Sequence, residues 1–243
     1  PEELLNLPIE ELRKLAQKHR LIVLRGFAPL SEDNLIEFCS SWGALLKWNF
    51  GMVLNLFVHD VPKNYLFTNG DVPLHWDGAF AEAVPSYQFF QCLTAPLKNS
   101  GGETLFCDTV RVWEDATATQ RARWRSVQIT YTTDKVAHYG GQVSANLVSE
   151  HPQTGQETLR FAEPTNQDTE SLNPLTLEVK GVPPEEVNQL LRDLLKTLYA
   201  PEHCYAHQWI DGDFLIADNH ALLHGRRPFL AHSPRHLQRV HIL

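Results

Sequence analysis

Residues 206–226 read AHQWIDGDFLIADNHALLHGR. The pair Asp211-Gly212 separates two apolar runs, and the second run closes on His224 and two arginines. Asp-Gly between apolar segments favours a tight turn, since glycine takes the backbone geometry the turn needs, so the stretch predicts a hairpin. Strand signals surround it: SYQFFQCLTAP (86–96), ETLFCD (103–108), SVQITYTT (126–133), ETLRFAE (157–163), LTLEVKG (175–181) and the alternating HLQRVHIL (236–243). An earlier run, LIVLRGF (21–27), is a short buried strand by its branched residues.

Three helices are expected among these strands. After Pro8, the segment IEELRKLAQKH places Ile9, Leu12 and Leu15 on one face. Ser31 caps a helix through LIEFCSSW that ends at Gly43. PPEEVNQLLRDLLKTLY (183–199) opens with proline and glutamate and carries leucines at 190, 191, 194, 195 and 198. Many short strands with a few covering helices predict a mainly β fold with flanking helices, a double-stranded β-helix or jelly roll. With no repeat, low-complexity tract or Gly/Ser linker, residues 1–243 are expected to form a single domain.

Composition excludes several function classes. The net charge is −8 and no long basic run occurs, so the electrostatic footprint of a nucleic-acid binder is missing. No apolar run approaches the ~20 residues a bilayer requires, and PEELLNLPIEELRKLAQKHR is a charged helix pattern unlike a signal peptide. Cys39, Cys92, Cys107 and Cys204 are far apart with no CxxC spacing, which points to a reducing cytoplasm. The sequence leaves open whether the protein forms an oligomer.

PLHWDGAF (73–80) sets His75 and Asp77 two residues apart, so on an extended chain both side chains leave one face. Taken alone, an H-x-D triplet reads more readily as a cross-strand hydrogen bond than as a metal site. His224 changes the weighing, because two histidines and a carboxylate make the facial triad that holds non-haem Fe(II) with positions left open. Arg235 and Arg239 have an even separation and share a face of the last strand. They are either solvated or a fork for a carboxylate. GGETLFCD (101–108) supplies a tight entry and then a hydroxyl, Thr104, at the start of a strand.

Taken in order, H-x-D at 75–77, GGET at 101–104, DNHALLH at 218–224 and R-x-x-x-R at 235–239 resemble the TauD/TfdA family of Fe(II)/2-oxoglutarate-dependent dioxygenases. The resemblance covers most of the chain. It implies a jelly roll, the metal ligands His75, Asp77 and His224, a 2-oxoglutarate-binding Arg235 supported by Thr104, and O₂ as oxidant. Arg239 falls where some members bind an anionic substrate group. Asp77 is a carboxylate where related halogenases carry a small residue. WNFGMVLNL (48–56) and NYLFTNGDVPLHWDGAF (64–80) further resemble the PvcB-type enzymes of isonitrile biosynthesis. That implies an aromatic 2-isocyano acid as small-molecule substrate and a desaturation, often with loss of the carboxylate.

Around this centre, Trp48, Phe50 and Phe80 are candidate pocket walls, Trp76 is expected to pack away from the ligands, and Asp218 and Asn219 are candidates to orient them. His138, in AHYGG, is a loop histidine that either covers substrate or is solvated, and His220 and His241 match no ligand position. Three other readings stay open: hydroxylation of another small acid such as an amino acid or sulfonate, a zinc-dependent hydrolase, and a non-catalytic jelly-roll binding module.

Overall fold

The computed structural model describes residues 3–136, 139–164, 172 and 174–243. Its strands, in chain order, are β1 (Leu21–Leu24), β2 (Val53–Leu56), β3 (Val72–His75), β4 (Tyr87–Thr94), β5 (Thr104–Asp108), β6 (Gln128–Val136) and β7 (Tyr139–Asn146). They continue with β8 (Val148–Glu150), β9 (Glu157–Leu159), β10 (Thr176–Lys180), β11 (Cys204–His207), β12 (Phe214–Asp218), β13 (Leu222–Arg226) and β14 (His236–Ile242). The helices are α1 (Ile9–His19), α2 (Glu32–Ser40), α3 (Thr109–Asp115), α4 (Ala118–Arg125) and α5 (Pro184–Leu198).

Two antiparallel sheets form the jelly roll: a five-stranded one in the order β1-β12-β4-β14-β2, and a four-stranded one in the order β11-β5-β13-β3. Strand alternation explains how they pack. On β4, Phe90 and Cys92 face inward and join Leu215 and Leu237 of the same sheet with Phe106 and Leu222 of the other in one buried cluster. Tyr87 and Phe89 face outward, beneath Leu12 and Ala16 of α1 and Leu35 and Phe38 of α2. With both faces covered, β4 is buried over its first six residues, Gln88 and Gln91 included. Each buried phenylalanine contributes about 1.5–3 kcal/mol. The outer face of the four-stranded sheet packs, through Leu105 and Cys107, with α3, α5 and the β10-β6-β7 sheet.

The predicted helices form, with one change of face. Leu12 and Ala16 are buried while Leu15 is exposed, because a helical stripe advances by three and four residues and 9, 12, 16 keeps the line better than 9, 12, 15. Ser31 Oγ accepts from the Asn34 amide at 3.3 Å, as its capping role requires. α3 and α4 were not expected. Yet α4 carries a legible signal, the Thr117/Gln120 capping box.

The hairpin at Asp211-Gly212 does not form. β11 pairs with β5 in one sheet and β12 with β1 and β4 in the other, so the turn is a corner between sheets. It is tied to the end of β4: the Gly212 amide donates to the Cys92 carbonyl at 3.0 Å, and Asp211 Oδ1 accepts from the Ala95 amide at 2.7 Å. Asp-Gly chemistry encodes a reversal of direction, not which strands then pair.

Candidate active site

His75 on β3 and His224 on β13 are direct partners across the ladder, with ring centroids 4.2 Å apart. Beyond His75 the chain turns Trp76 outward, edge-on to Tyr131 at 5.3 Å in the buried core, and brings Asp77 back to the histidines. Gly78 permits the turn that follows, at φ +85°, where an added Cβ would lie 2.5 Å from Pro85. Asp77 Oδ1 is 3.5 Å from His75 Nε2, and Oδ2 is 3.6 Å from His224 Nε2. One donor atom from each residue lies within 4.8 Å of the others.

The donor chemistry fits a divalent cation. His75 Nδ1 donates to the Pro73 carbonyl at 2.8 Å, which turns Nε2 toward the cluster. Burial, then the neighbouring His75, pushes the His224 pKa well down, so its ring is neutral and keeps a lone pair. Burial alone would raise the Asp77 carboxyl, but Arg239, His224 and His241 outweigh it and hold it well below the usual carboxylate range. Two imidazoles and one carboxylate, with no further His, Cys, Asp or Glu in the cluster among the described residues, suit Fe(II) with open positions. A structural zinc site takes four protein ligands.

Around Asp77 stands a set of donors. Gln88 Nε2 at 2.6 Å, His241 Nε2 at 2.7 Å and Arg239 Nη1 at 2.7 Å all reach Oδ2, which leaves Oδ1 toward His75. Asn219 holds the Asp77 main chain from both sides: its Oδ1 accepts from the amide at 3.0 Å and its Nδ2 donates to the carbonyl at 3.0 Å. Asp218 instead accepts from His151 Nε2 at 2.9 Å and from the His220 and Ala221 amides. Arg239, expected at a substrate anion, therefore has a first partner in Asp77, and its Nε is buried without a hydrogen bond.

Arg235 enters the same interior further along. Its Nε donates to the Gly102 carbonyl and its Nη2 to Thr104 Oγ1, each at 3.3 Å. Thr104 Oγ1 also accepts from Trp209 Nε1 at 2.9 Å, so its own proton is available to a ligand. Gly101 lets the Pro228–Phe229 main chain lie against this turn, since a Cβ there would meet the Pro228 carbonyl at 2.1 Å. Among the described residues, no carboxylate pairs with Arg235. Burial, then nearby Arg226, draws its pKa down to about 9, so it stays charged at neutral pH. A buried guanidinium without a counter-charge is unfavourable, and a ligand carboxylate is the group that would offset it.

The open side of the triad faces a cavity of about 310 Å³. Trp48 and Phe80 line it as expected, as do Phe50, Phe67 and Tyr131, with Arg239 at the metal end. Trp48 and Phe50 stack at 6.1 Å. Sequence reasoning missed Gln88, His241 and Glu163, all of which border the triad or cavity. His241 had a signal: it follows Arg239 by two on an alternating strand. His138 lies outside the described residues.

The chain as a whole is similar to known proteins. The family model for the taurine catabolism dioxygenase TauD, TfdA family matches residues 1–241. The chain is 60% identical over 237 residues to a 3-((Z)-2-isocyanoethenyl)-1H-indole synthase of Fischerella ambigua, covering 98% of this chain and 87% of that protein. It is 40% identical over 238 residues to a tyrosine isonitrile desaturase of Pseudomonas aeruginosa, covering 97% and 81%. Among solved structures, PvcB, described as an Fe, alpha-ketoglutarate dependent oxygenase from an isonitrile synthetic pathway, superposes with a TM-score of 0.81 at 37% identity, covering 99% and 81%.

Proposed function

The chain belongs to the TauD/TfdA dioxygenase family, and from that premise we propose that it desaturates a tryptophan-derived isonitrile acid with loss of its carboxylate. It is an Fe(II)- and 2-oxoglutarate-dependent oxygenase. We read 1–243 as one catalytic domain, in line with the span of the family model. The observation that carries the substrate reading is the aromatic-walled cavity on the open side of the triad, in a chain 60% identical to an indole isonitrile synthase.

His75, Asp77 and His224 would hold the iron, which supplies the oxidation of substrate by O₂ at the expense of 2-oxoglutarate decarboxylation. Arg235 and Thr104 bind the far carboxylate of 2-oxoglutarate, and the fixed place of the guanidinium selects its length. Gln88, His241 and Arg239 keep Asp77 ionised and oriented. Trp48, Phe50 and Phe80 exclude water and set an aromatic side chain against the open face. Overall, the isonitrile acid loses CO₂ and one Cβ hydrogen to give a vinyl isonitrile. 2-Oxoglutarate becomes succinate and CO₂, and O₂ ends in succinate and water. The four thiols are unpaired, which supports a cytoplasmic setting; among the described residues no helix is long and apolar enough to cross a membrane.

The test is anaerobic first. Fe(II) and 2-oxoglutarate together should give a weak visible charge-transfer band that His224→Ala abolishes. On admission of O₂, 2-isocyano-3-(1H-indol-3-yl)propanoate should yield the vinyl isonitrile and one succinate per turnover. A band with no consumption of the indole isonitrile, but turnover of a sulfonate or amino acid, would overturn the substrate reading.

A further inference from the structure

The cavity is apolar along the wall formed by Trp76, Phe80, Tyr131, Ala162 and Leu175, but one carboxylate interrupts it, that of Glu163. Two backbone-directed contacts fix Glu163 beside the ligand strand. Its amide donates to the Leu74 carbonyl at 2.8 Å, and its Oε2 accepts from the Leu74 amide at 3.4 Å. Oε2 also accepts from the Tyr199 hydroxyl at 2.6 Å. Among the described residues, no hydrogen bond ends on Oε1. Leu74 directly precedes His75, so Glu163 is held beside the strand that carries the first metal-ligand candidate.

Glu163 is half-buried, and a carboxylate oxygen that a bound aromatic ring would cover is unfavourable unless a donor meets it. It also repels a second anion. The occupant it suits carries its own carboxylate elsewhere and presents an N–H or O–H at this point of the wall. An indole has that shape: the reacting side chain leaves one side of the five-membered ring and the N–H projects from the other. Resting on the isonitrile reading above, we propose that Glu163 accepts a hydrogen bond from the indole N1–H of the substrate and so sets specificity for it. Burial raises the Glu163 pKa, and the bonds from Tyr199 and Leu74 only partly offset this.

Sites that pair with a substrate donor reject the analogue lacking it, because the partner is then left unpaired. The test compares 2-isocyano-3-(1H-indol-3-yl)propanoate with its N1-methyl counterpart. Affinities are measured by anaerobic calorimetry on enzyme loaded with Fe(II) and 2-oxoglutarate. The wild type should bind the N–H compound at least about tenfold more tightly. Glu163→Leu should bring the two within about twofold, chiefly by weakening the N–H compound. Glu163→Gln, whose amide oxygen still accepts, should restore part of the preference and guards against loss of fold in the leucine variant. Equal wild-type affinities would overturn the inference while leaving the isonitrile reading intact. So would variants that weaken both compounds equally, since that assigns Glu163 to bracing β3. Binding of neither compound, with no succinate formed from either, would overturn the isonitrile reading and the inference with it.

Discussion

Trp48 donates its indole N–H to His241 Nδ1 at 3.1 Å. That bond places the His241 proton on Nε2, where it reaches Asp77 Oδ2 at 2.7 Å. The cavity wall and the metal-binding carboxylate are thus joined through one imidazole. Trp48→Phe keeps the wall but frees the tautomer. Partners that orient a ligand typically contribute 10–100-fold to metal affinity; acting one bond further out, this change should weaken Fe(II) binding by about tenfold or less. A metal titration of both proteins checks it, and unchanged affinity would show the link to be inert.

His75→Ala, Asp77→Ala and His224→Ala should each abolish Fe(II) binding and turnover while circular dichroism stays native. The three side chains meet at the edge of the cavity, outside the clusters that hold the sheets together. Full activity in any one of them would remove that residue from the metal site.

Arg235→Met should have opposite effects with and without cosubstrate. Losing the charge partner of a buried carboxylate should raise the 2-oxoglutarate requirement by roughly 30-fold or more. In cosubstrate-free protein the same change removes an uncompensated charge from beside Phe229, so the melting temperature should rise. Thermal melts with and without 2-oxoglutarate, read against the wild type, decide both halves.

The metal-free protein should lose stability in mild acid. Burial, then Arg160, pushes the His220 pKa down from 6.5 to about 4, and burial also lowers His207 and His241. The unfolded chain therefore takes up protons below pH 6.5 that the folded chain refuses. The stability present above that pH falls as pH drops toward about 4. His220→Asn should flatten the decline across that window in denaturant titrations at stepped pH. An unaltered slope would mean that His220 is not protonated differently in the two states.

The jelly roll, α2 and α5 were legible because they rest on local chemistry: alternation, a serine cap, a leucine stripe. His75, Asp77 and His224 were legible as a set only through order and spacing, since the ladder that sets His75 opposite His224 joins strands almost 150 residues apart. The Asp211-Gly212 corner misled for the same reason: turn chemistry is local and sheet membership is not. Gln88 and Glu163 carried no signal at all. Each is one polar residue in an apolar run or beside one, and what it faces is decided by strands brought up from elsewhere.

β14 places Leu237, Arg239 and His241 at alternate positions that turn inward, past Cys92, Phe90 and Gln88 of β4, while Arg235 stands just before the strand, across a register shift at His236. The strand is in effect a gauge, with Arg235, the proposed anchor of the keto diacid, just before one end and the brace of Asp77 toward the other. A one-residue deletion between Leu237 and His241 would turn one of the two toward the helical layer. Evolution of such an enzyme is free to recut the cavity around Phe80 and Trp48 for new substrates, while the brace of Asp77 stays locked to the pleat of a single strand.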